Sequence, residues 1–241
     1  MDGQGQTHRT VSGGLVPGSG PVVLDLPLGQ CHPGGAGWHD EVYRAAGGDM
    51  ARVPWANGRA SPSLVSWLNA EAPGRVRPGS RAAVVGCGLG DDVVELINRG
   101  YDAIGFDVSP AGIDWARRRF PEQASAFCVA DVLGAPTRFR HRFDLVVEVN
   151  TIQSMDPAQR EAAAAAISSL LCPRGLLVAI ARGREETELL EAVQGPPWPL
   201  TRTEFVGLME AAGLKPTRAI DEFMDDERPP QKRLRGMFEH A

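Results

Sequence analysis

Residues 84–92 read VVGCGLGDD: an apolar run, three glycines on alternate positions, then two aspartates. Glycine removes side-chain bulk where a ligand or a second segment must approach the main chain closely. An apolar run, a bare turn and a helix starting at the acids make a strand–turn–helix unit, which commits this part of the chain to an α/β arrangement. Such turns usually cradle phosphates on backbone N–H groups at the positive end of the helix dipole. Here Asp91 and Asp92 fall in the first helical turn and already satisfy that dipole. A phosphate would meet two negative charges, so the turn suits a nucleoside-like ligand without phosphates, and it admits a cationic one.

The alternation continues downstream. RAAVVGC reads as a strand and DDVVELINR as a helix closed by Gly100; DAIGFDV is a strand, and SPAGIDWARRRF a helix with Ser109 as N-cap and Pro110 next. ASAFCVAD is a strand ending at Asp131. FDLVVEVN is nearly all apolar and reads as a strand buried on both faces. DPAQREAAAAAISSLL is an alanine-filled helix capped by Asp156, CPRG a turn, and LLVAIARG a fifth strand. TRTEFVGLMEAAG carries a capping box, Thr201 to Glu204, and two alternating runs around an acidic, proline-containing loop end the chain as a β-hairpin. Strand–helix alternation predicts a parallel sheet with right-handed crossovers and ligands at the carboxyl ends of its strands.

The 241 residues, with 43% apolar content, suit one such domain with appendages. Residues 1–37 hold ten glycines and four prolines, too little apolar surface to offset ordering, and read as a flexible tail in which only VVLDLPLG could dock. Residues 38–76 read as a broken helical cover over the strand ends, and 77–241 as the ligand-binding core. The net charge of −5 argues against nucleic acid as the partner, and the absence of a long apolar stretch argues against a membrane span. The start lacks a signal-peptide pattern, and four scattered cysteines without metal-like pairing fit reduced thiols in the cytoplasm.

Three features then share the expected crevice. Gly86, Gly88 and Gly90 end the first strand. Asp107 ends the second, 21 residues after Gly86, a separation at which a carboxylate can receive both ribose hydroxyls of a nucleoside. Asp131 ends the third and can accept from an exocyclic amine. Each alone is weak; Asp107 could equally cap the helix beginning near Ser109. A dinucleotide fingerprint would need glycine or alanine at 91, where this chain has Asp91.

The stretch VVGCGLGDDVVELINRGYDAIGFDVSPAGIDWARRRFP resembles the first two motifs of the class I S-adenosylmethionine-dependent methyltransferases. VADV is similar to their third motif, and FDLVVEVNTIQSMDPAQREAAAAAISSLLCPRGLLVAIAR to their fourth strand and following helix. Upstream, PWANGRASPSLVSWL loosely resembles the entry of thiopurine methyltransferase-like small-molecule enzymes. The resemblance implies a Rossmann-like, doubly wound, seven-stranded sheet, mostly parallel with an antiparallel C-terminal strand. It implies S-adenosylmethionine as cofactor, with Gly86, Cys87 and Gly88 along its methionine and ribose portion, and Asp107 on the ribose hydroxyls. Val108 would lie on the adenine, Asp131 and Val132 at its polar edge, and Glu148 by the sulfonium end with Asn150 just beyond.

Methyl transfer to a thiolate or amine needs no base, whereas a hydroxyl acceptor does. The candidates for that role are Glu148, Asn150 and His39. Trp55 and Trp198, the latter in the rigid GPPWPL loop, are the candidate walls of an acceptor pocket, since aromatic faces attract a sulfonium. Arg182 and Arg184 follow the fifth strand and could meet an acidic acceptor, but read more readily as solvated. The expected acceptor is a small molecule with an S, N or O nucleophile. Aminopropyl transfer or intramolecular cyclisation with the same cofactor or its decarboxylated form, or a non-catalytic binding role, are the alternatives.

Overall fold

The computed structural model describes residues 35–190, 195–227 and 229–241. The expected tail therefore lies almost wholly outside the described residues, as does VVLDLPLG. Helix α1 (Ala36–Ala46) follows Gly35 directly and begins two residues before the expected edge of the cover. Helix α2 (Pro62–Ala70) completes the cover, with Ser61 before it and Pro62 at its first position.

The core alternates as expected through β1 (Arg81–Val85), α3 (Asp91–Asn98), β2 (Asp102–Asp107), α4 (Pro110–Arg119), β3 (Phe127–Val129) and β4 (Phe143–Val149). A one-turn helix α5 (Thr151–Ser154) follows β4, then α6 (Arg160–Ser168), β5 (Leu171–Arg182) and α7 (Arg202–Ala211). The chain ends in β6 (Leu214–Pro216), β7 (Asp221–Met224) and β8 (Lys232–His240).

The strands lie in the order β3-β2-β1-β4-β5-β8-β6, with β7 also on β8. Strands β1 to β5 pair in parallel and β8 runs antiparallel to β5. Leu214 pairs with His240 and Asp221 with Arg235, so β6 and β7 occupy one edge of β8 in succession. The expected seven-stranded layer is present with its outermost position broken in two, and β7–β8 is the expected hairpin.

Three local expectations shift. Residues 172–175, expected as a turn, lie inside β5. The pairing slips between Phe143 and Leu145, and a Cβ on Gly175 would stand 2.7 Å from the Phe143 carbonyl oxygen, a close approach that only glycine permits. The alanine-rich helix is shorter: Asp156 accepts from Ala158 N–H across a 3-10 turn, and α6 begins at Arg160. Strand β3 spans three residues because 121–126 form a 3-10 turn, leaving Asp131 two residues beyond its end.

The two faces of the sheet bury separate cores. Phe106, Phe143, Ile167, Phe205 and Phe238 pack under α6 and α7, and Leu64, Trp67, Leu96, Ile113 and Phe127 under α2, α3 and α4. Trp67 is fully buried and donates to the Met237 sulfur, a structural role. A third cluster, Trp38, Val42, Tyr43, Val53, Leu89 and Trp115, seats α1 on α4 and on the glycine turn. No helix among the described residues is long and apolar enough to cross a membrane.

Candidate active site

The carboxyl ends of β1, β2 and β4 open into a cavity of about 1070 Å³, walled by the glycine turn, α1, the start of α2, α5 and the β7–β8 hairpin. Its floor is main chain. Gly86, Gly88 and Gly90 have φ of 60°, 50° and 90°, and Gly86, Cys87 and Gly88 line the space. A Cβ on Gly86 would stand 2.4 Å from Thr151 Oγ1, and one on Gly88 2.9 Å from the Tyr43 hydroxyl. The turn is bare because α5 and the cover press on it from outside, while its inner side faces the cavity.

The two acids that follow have separate fates. Asp91 is held by both terminal nitrogens of Arg119 at 2.7 Å. Asp92 accepts the Ser61 N–H at 2.7 Å, tying the cover to α3, and burial pushes its pKa up to about 6. Asp92 thus brings a carboxylate to the wall without a cation of its own.

Asp107 is buried at the end of β2 and lines the cavity. Its oxygens accept the Gly88 and Ser109 N–H groups at 2.9 Å each. Burial raises its pKa, with those amides and His39 opposing. Asp107 steadies the start of α4 and also faces the cavity. His39 sits between Trp38 and Trp55, ring centroids 4.9 and 5.5 Å away, and its pKa is lowered by burial, with Asp107 opposing. Burial likewise raises the Cys87 thiol well above its ordinary value, which suits a filler and not a nucleophile.

Val108, Asp131, Val132 and Asn150 also line the cavity; Asp131 is exposed and its Oδ1 accepts from Leu133 N–H. Trp55 lines it too, its indole N–H donating to the Tyr43 hydroxyl at 2.8 Å. Two expected residues are not brought there. Glu148 turns to the opposite face of β4, beneath α5, where Oε1 accepts the Thr151 and Ile152 N–H groups and Oε2 is buried without a partner among the described residues. Trp198 is absent from the wall; its main chain bonds Gln153 and Arg160, and its ring packs on Gly195. The basic pair after β5 is not solvated either, since Arg184 is buried against Glu204 and Arg182 meets Glu227.

The methyltransferase domain family matches residues 83–175, from β1 into β5, the span that carries the glycine turn, Asp107 and Asp131. The chain carries a methyltransferase domain. Thiocyanate methyltransferase 1 of Arabidopsis thaliana is 28% identical over 183 residues, covering 74% of this chain and 71% of that one. A probable thiol methyltransferase 2 of the same plant is 23% identical over 177 residues, covering 72% and 74%. Among solved structures, the 1,6-didemethyltoxoflavin-N1-methyltransferase of Burkholderia thailandensis, with bound S-adenosylhomocysteine, shares the fold at a TM-score of 0.64, 17% identity and coverage of 79% and 82%.

The site fits S-adenosylmethionine. The floor is main chain that a Cβ would obstruct, the acid at the end of β2 faces the space, and no phosphate is needed beside Asp92. Two residues that brace the site escaped sequence reasoning, Asp40 behind the wall and Arg233 on it. Asp40 on α1 accepts the Ser109 hydroxyl at 2.7 Å and the Ala111 N–H at 2.9 Å, capping α4 from the cover. Arg233 donates to Asn150 Oδ1 at 3.1 Å, joining the hairpin to α5. Neither pair leaves a local signal, since the partners are 69 and 83 residues apart.

Proposed function

We propose that this methyltransferase alkylates the sulfur of a small molecule by in-line displacement, and that nucleic acid and protein are not its acceptors. The observation that carries the reading is the state of the three candidate catalytic side chains. Glu148 is withdrawn beneath α5, Asn150 is bonded to Arg233, and the basicity of His39 is lowered by burial beside Asp107. Glu148 is kept from the cavity, Asn150 is no base, and His39, on the wall, is a weakened one, so none is a strong base for a hydroxyl. A thiol ionises near neutral pH, with an ordinary pKa of about 8.5, and needs none. The two plant relatives are named for thiocyanate and thiol acceptors, which supports the same class.

Bound S-adenosylmethionine supplies an electrophilic methyl group on a sulfonium. Toward it, the residues divide the work. The Gly86–Gly88 main chain allows close approach along the methionine and ribose portion, and Asp107 accepts the ribose hydroxyls. Val108 and Val132 flank the adenine, with Asp131 at its amine. Tyr43 and Trp55 present aromatic faces that attract a cation and exclude water. Residues 38–76 act as the cover that holds the acceptor over 77–241. The acidic surplus disfavours a polyanionic acceptor. A cytoplasmic setting belongs to this reading, consistent with free Cys87, Cys128 and Cys172.

The test is a panel of aliphatic and aromatic thiols, thiocyanate, iodide, amines, phenols and RNA, read by S-adenosylhomocysteine release and mass spectrometry of the product. Thiols should give the highest kcat/KM. Preferred methylation of phenols, amines or RNA would overturn the proposal.

A further inference from the structure

We infer that the acceptor carries a carboxylate in addition to its nucleophile, held in a subsite formed by Arg59, the first turn of α2 and the Ser63 hydroxyl. The inference rests on the proposed function and names the substrate class more narrowly.

Three observations converge on one stretch of wall. The first is Arg59, exposed, lining the cavity and without a hydrogen bond or ion pair among the described residues. The other guanidiniums on that wall are committed. Arg233 binds Asp225 at 2.6 Å and Glu227 at 2.7 Å, and Arg235 binds Asp221 at 2.9 Å. Second, Ser63 is only 8% exposed, lines the cavity, and its hydroxyl has no partner among the described residues. A wall hydroxyl that no protein group engages is free to donate to a ligand. Third, α2 is nine residues long, Pro62 has no N–H and the Ser61 side chain makes no capping bond, so the uncapped Ser63 N–H and the partial positive charge of the helix start lie on the same wall.

Charge and chemistry narrow the ligand. A guanidinium, a helix N–H and a hydroxyl are all donors, and together they match a planar oxyanion. The neighbouring wall holds Asp91, Asp92, Asp221 and Glu222, so one uncommitted cation balances a monoanion and not a phosphate dianion. Asp92, which fixes the Ser61 N–H, marks the boundary of the subsite on the side of the glycine turn.

The test compares 3-mercaptopropionate with 1-propanethiol. Wild type should show a KM for the carboxylate thiol about tenfold lower, as expected for one charge-assisted contact, with similar kcat. Arg59→Gln should abolish that preference, Arg59→Lys should restore part of it, and Ser63→Ala should weaken it. A second readout needs no turnover. Binding of 3-(methylthio)propionate to the S-adenosylhomocysteine-loaded enzyme, followed by NMR, should weaken about tenfold in Arg59→Gln while cofactor affinity is retained. Equal KM values for both thiols, or equal binding to wild type and Arg59→Gln, would overturn the subsite. Tight binding of inorganic phosphate or thiocyanate in place of the carboxylate would overturn it as well. If no thiol is methylated but the carboxylate binds through Arg59, the sulfur reading fails and the subsite stands.

Discussion

Trp55 donates its indole N–H to the Tyr43 hydroxyl at 2.8 Å, and that hydroxyl lies 2.9 Å from where a Cβ on Gly88 would stand. The cover thus reaches the cofactor floor through two aromatic side chains and one hydrogen bond. Tyr43 is buried, whereas Trp55 is 37% exposed and walls the cavity. This asymmetry separates function from stability. A cation–π contact with Trp contributes up to about 2 kcal/mol when desolvated, so Trp55→Ala should lower kcat/KM roughly tenfold or more. Its Tm should fall only a few degrees, roughly 2–4 °C for each kcal/mol lost. Trp55→Phe should recover most activity. Steady-state kinetics with calorimetric melting decides the matter; a normal turnover rate in Trp55→Ala would reduce the contact to packing.

Gly88→Ala forces a methyl group against the Tyr43 hydroxyl at a φ of +50°, a backbone setting that costs a non-glycine residue roughly 1 kcal/mol or more. Cofactor affinity should drop about tenfold or more because the displaced Tyr43–Trp55 pair shares the wall. Removing the hydroxyl with Tyr43→Phe in the Gly88→Ala background should return part of the affinity. Titration of S-adenosylmethionine by calorimetry across the four variants of that cycle measures the coupling. Strict additivity would mean that the steric contact is not the cause.

Asp107→Asn separates the two jobs of this carboxylate. Hydrogen bonds to a charged group contribute roughly 1.5–3 kcal/mol each, so weakening those to a ribose should cost about 10- to 100-fold in cofactor affinity. The asparagine oxygen still accepts one of the Gly88 and Ser109 amides, so folding persists with a lowered Tm. Asp107→Ala orphans both amides and should melt lower still. Affinity within threefold of wild type in Asp107→Asn would remove the residue from the cofactor site.

What could be read in the chain followed the range of the interactions. Gly86, Asp107 and Asp131 were legible because a glycine turn and strand-end acids are local patterns whose spacing the fold fixes. Glu148 was legible as a strand end but not as a direction. Period-two alternation in FDLVVEVN sets Glu148 opposite Val147 and Val149, but it does not say which of the two faces opens to the cavity. Asp40 on Ser109, Arg233 on Asn150 and Ser61 on Asp92 were invisible, since each joins distant segments by geometry alone. Trp198 was misplaced because a rigid loop after β5 has no sequence mark telling which side of the sheet end it covers. The broken edge of β6 and β7 was hidden likewise, since two short strands in succession read like one interrupted run.

Glu148 gives a pH prediction whose sign is opposite to that of a salt-bridged acid. Burial raises its pKa from 4.5 to about 7, while two amides at the start of α5 oppose the rise and Oε2 has no partner among the described residues. In the unfolded chain the group ionises near 4.5, so between pH 4.5 and 7 the native state binds more protons than the unfolded state, and stability falls as pH rises. Below pH 4.5 the penalty is absent; above 7 it is complete, at an order of 3 kcal/mol from 1.36 kcal/mol for each unit. Asp92, raised to about 6, adds to the trend in the same direction. Glu148→Gln keeps a carbonyl for the Thr151 and Ile152 amides and removes the titration. Its Tm should exceed that of wild type at pH 8 and converge with it near pH 5. Because Glu148 is absent from the cavity wall, the same variant should retain measurable turnover. Melting wild type and Glu148→Gln from pH 4.5 to 8.5 tests the sign directly: a mutant that loses stability most at high pH would show that the ionised carboxylate is the favoured native form. A mutant that melts with wild type at pH 8 but loses all turnover would put Glu148 back in the chemistry.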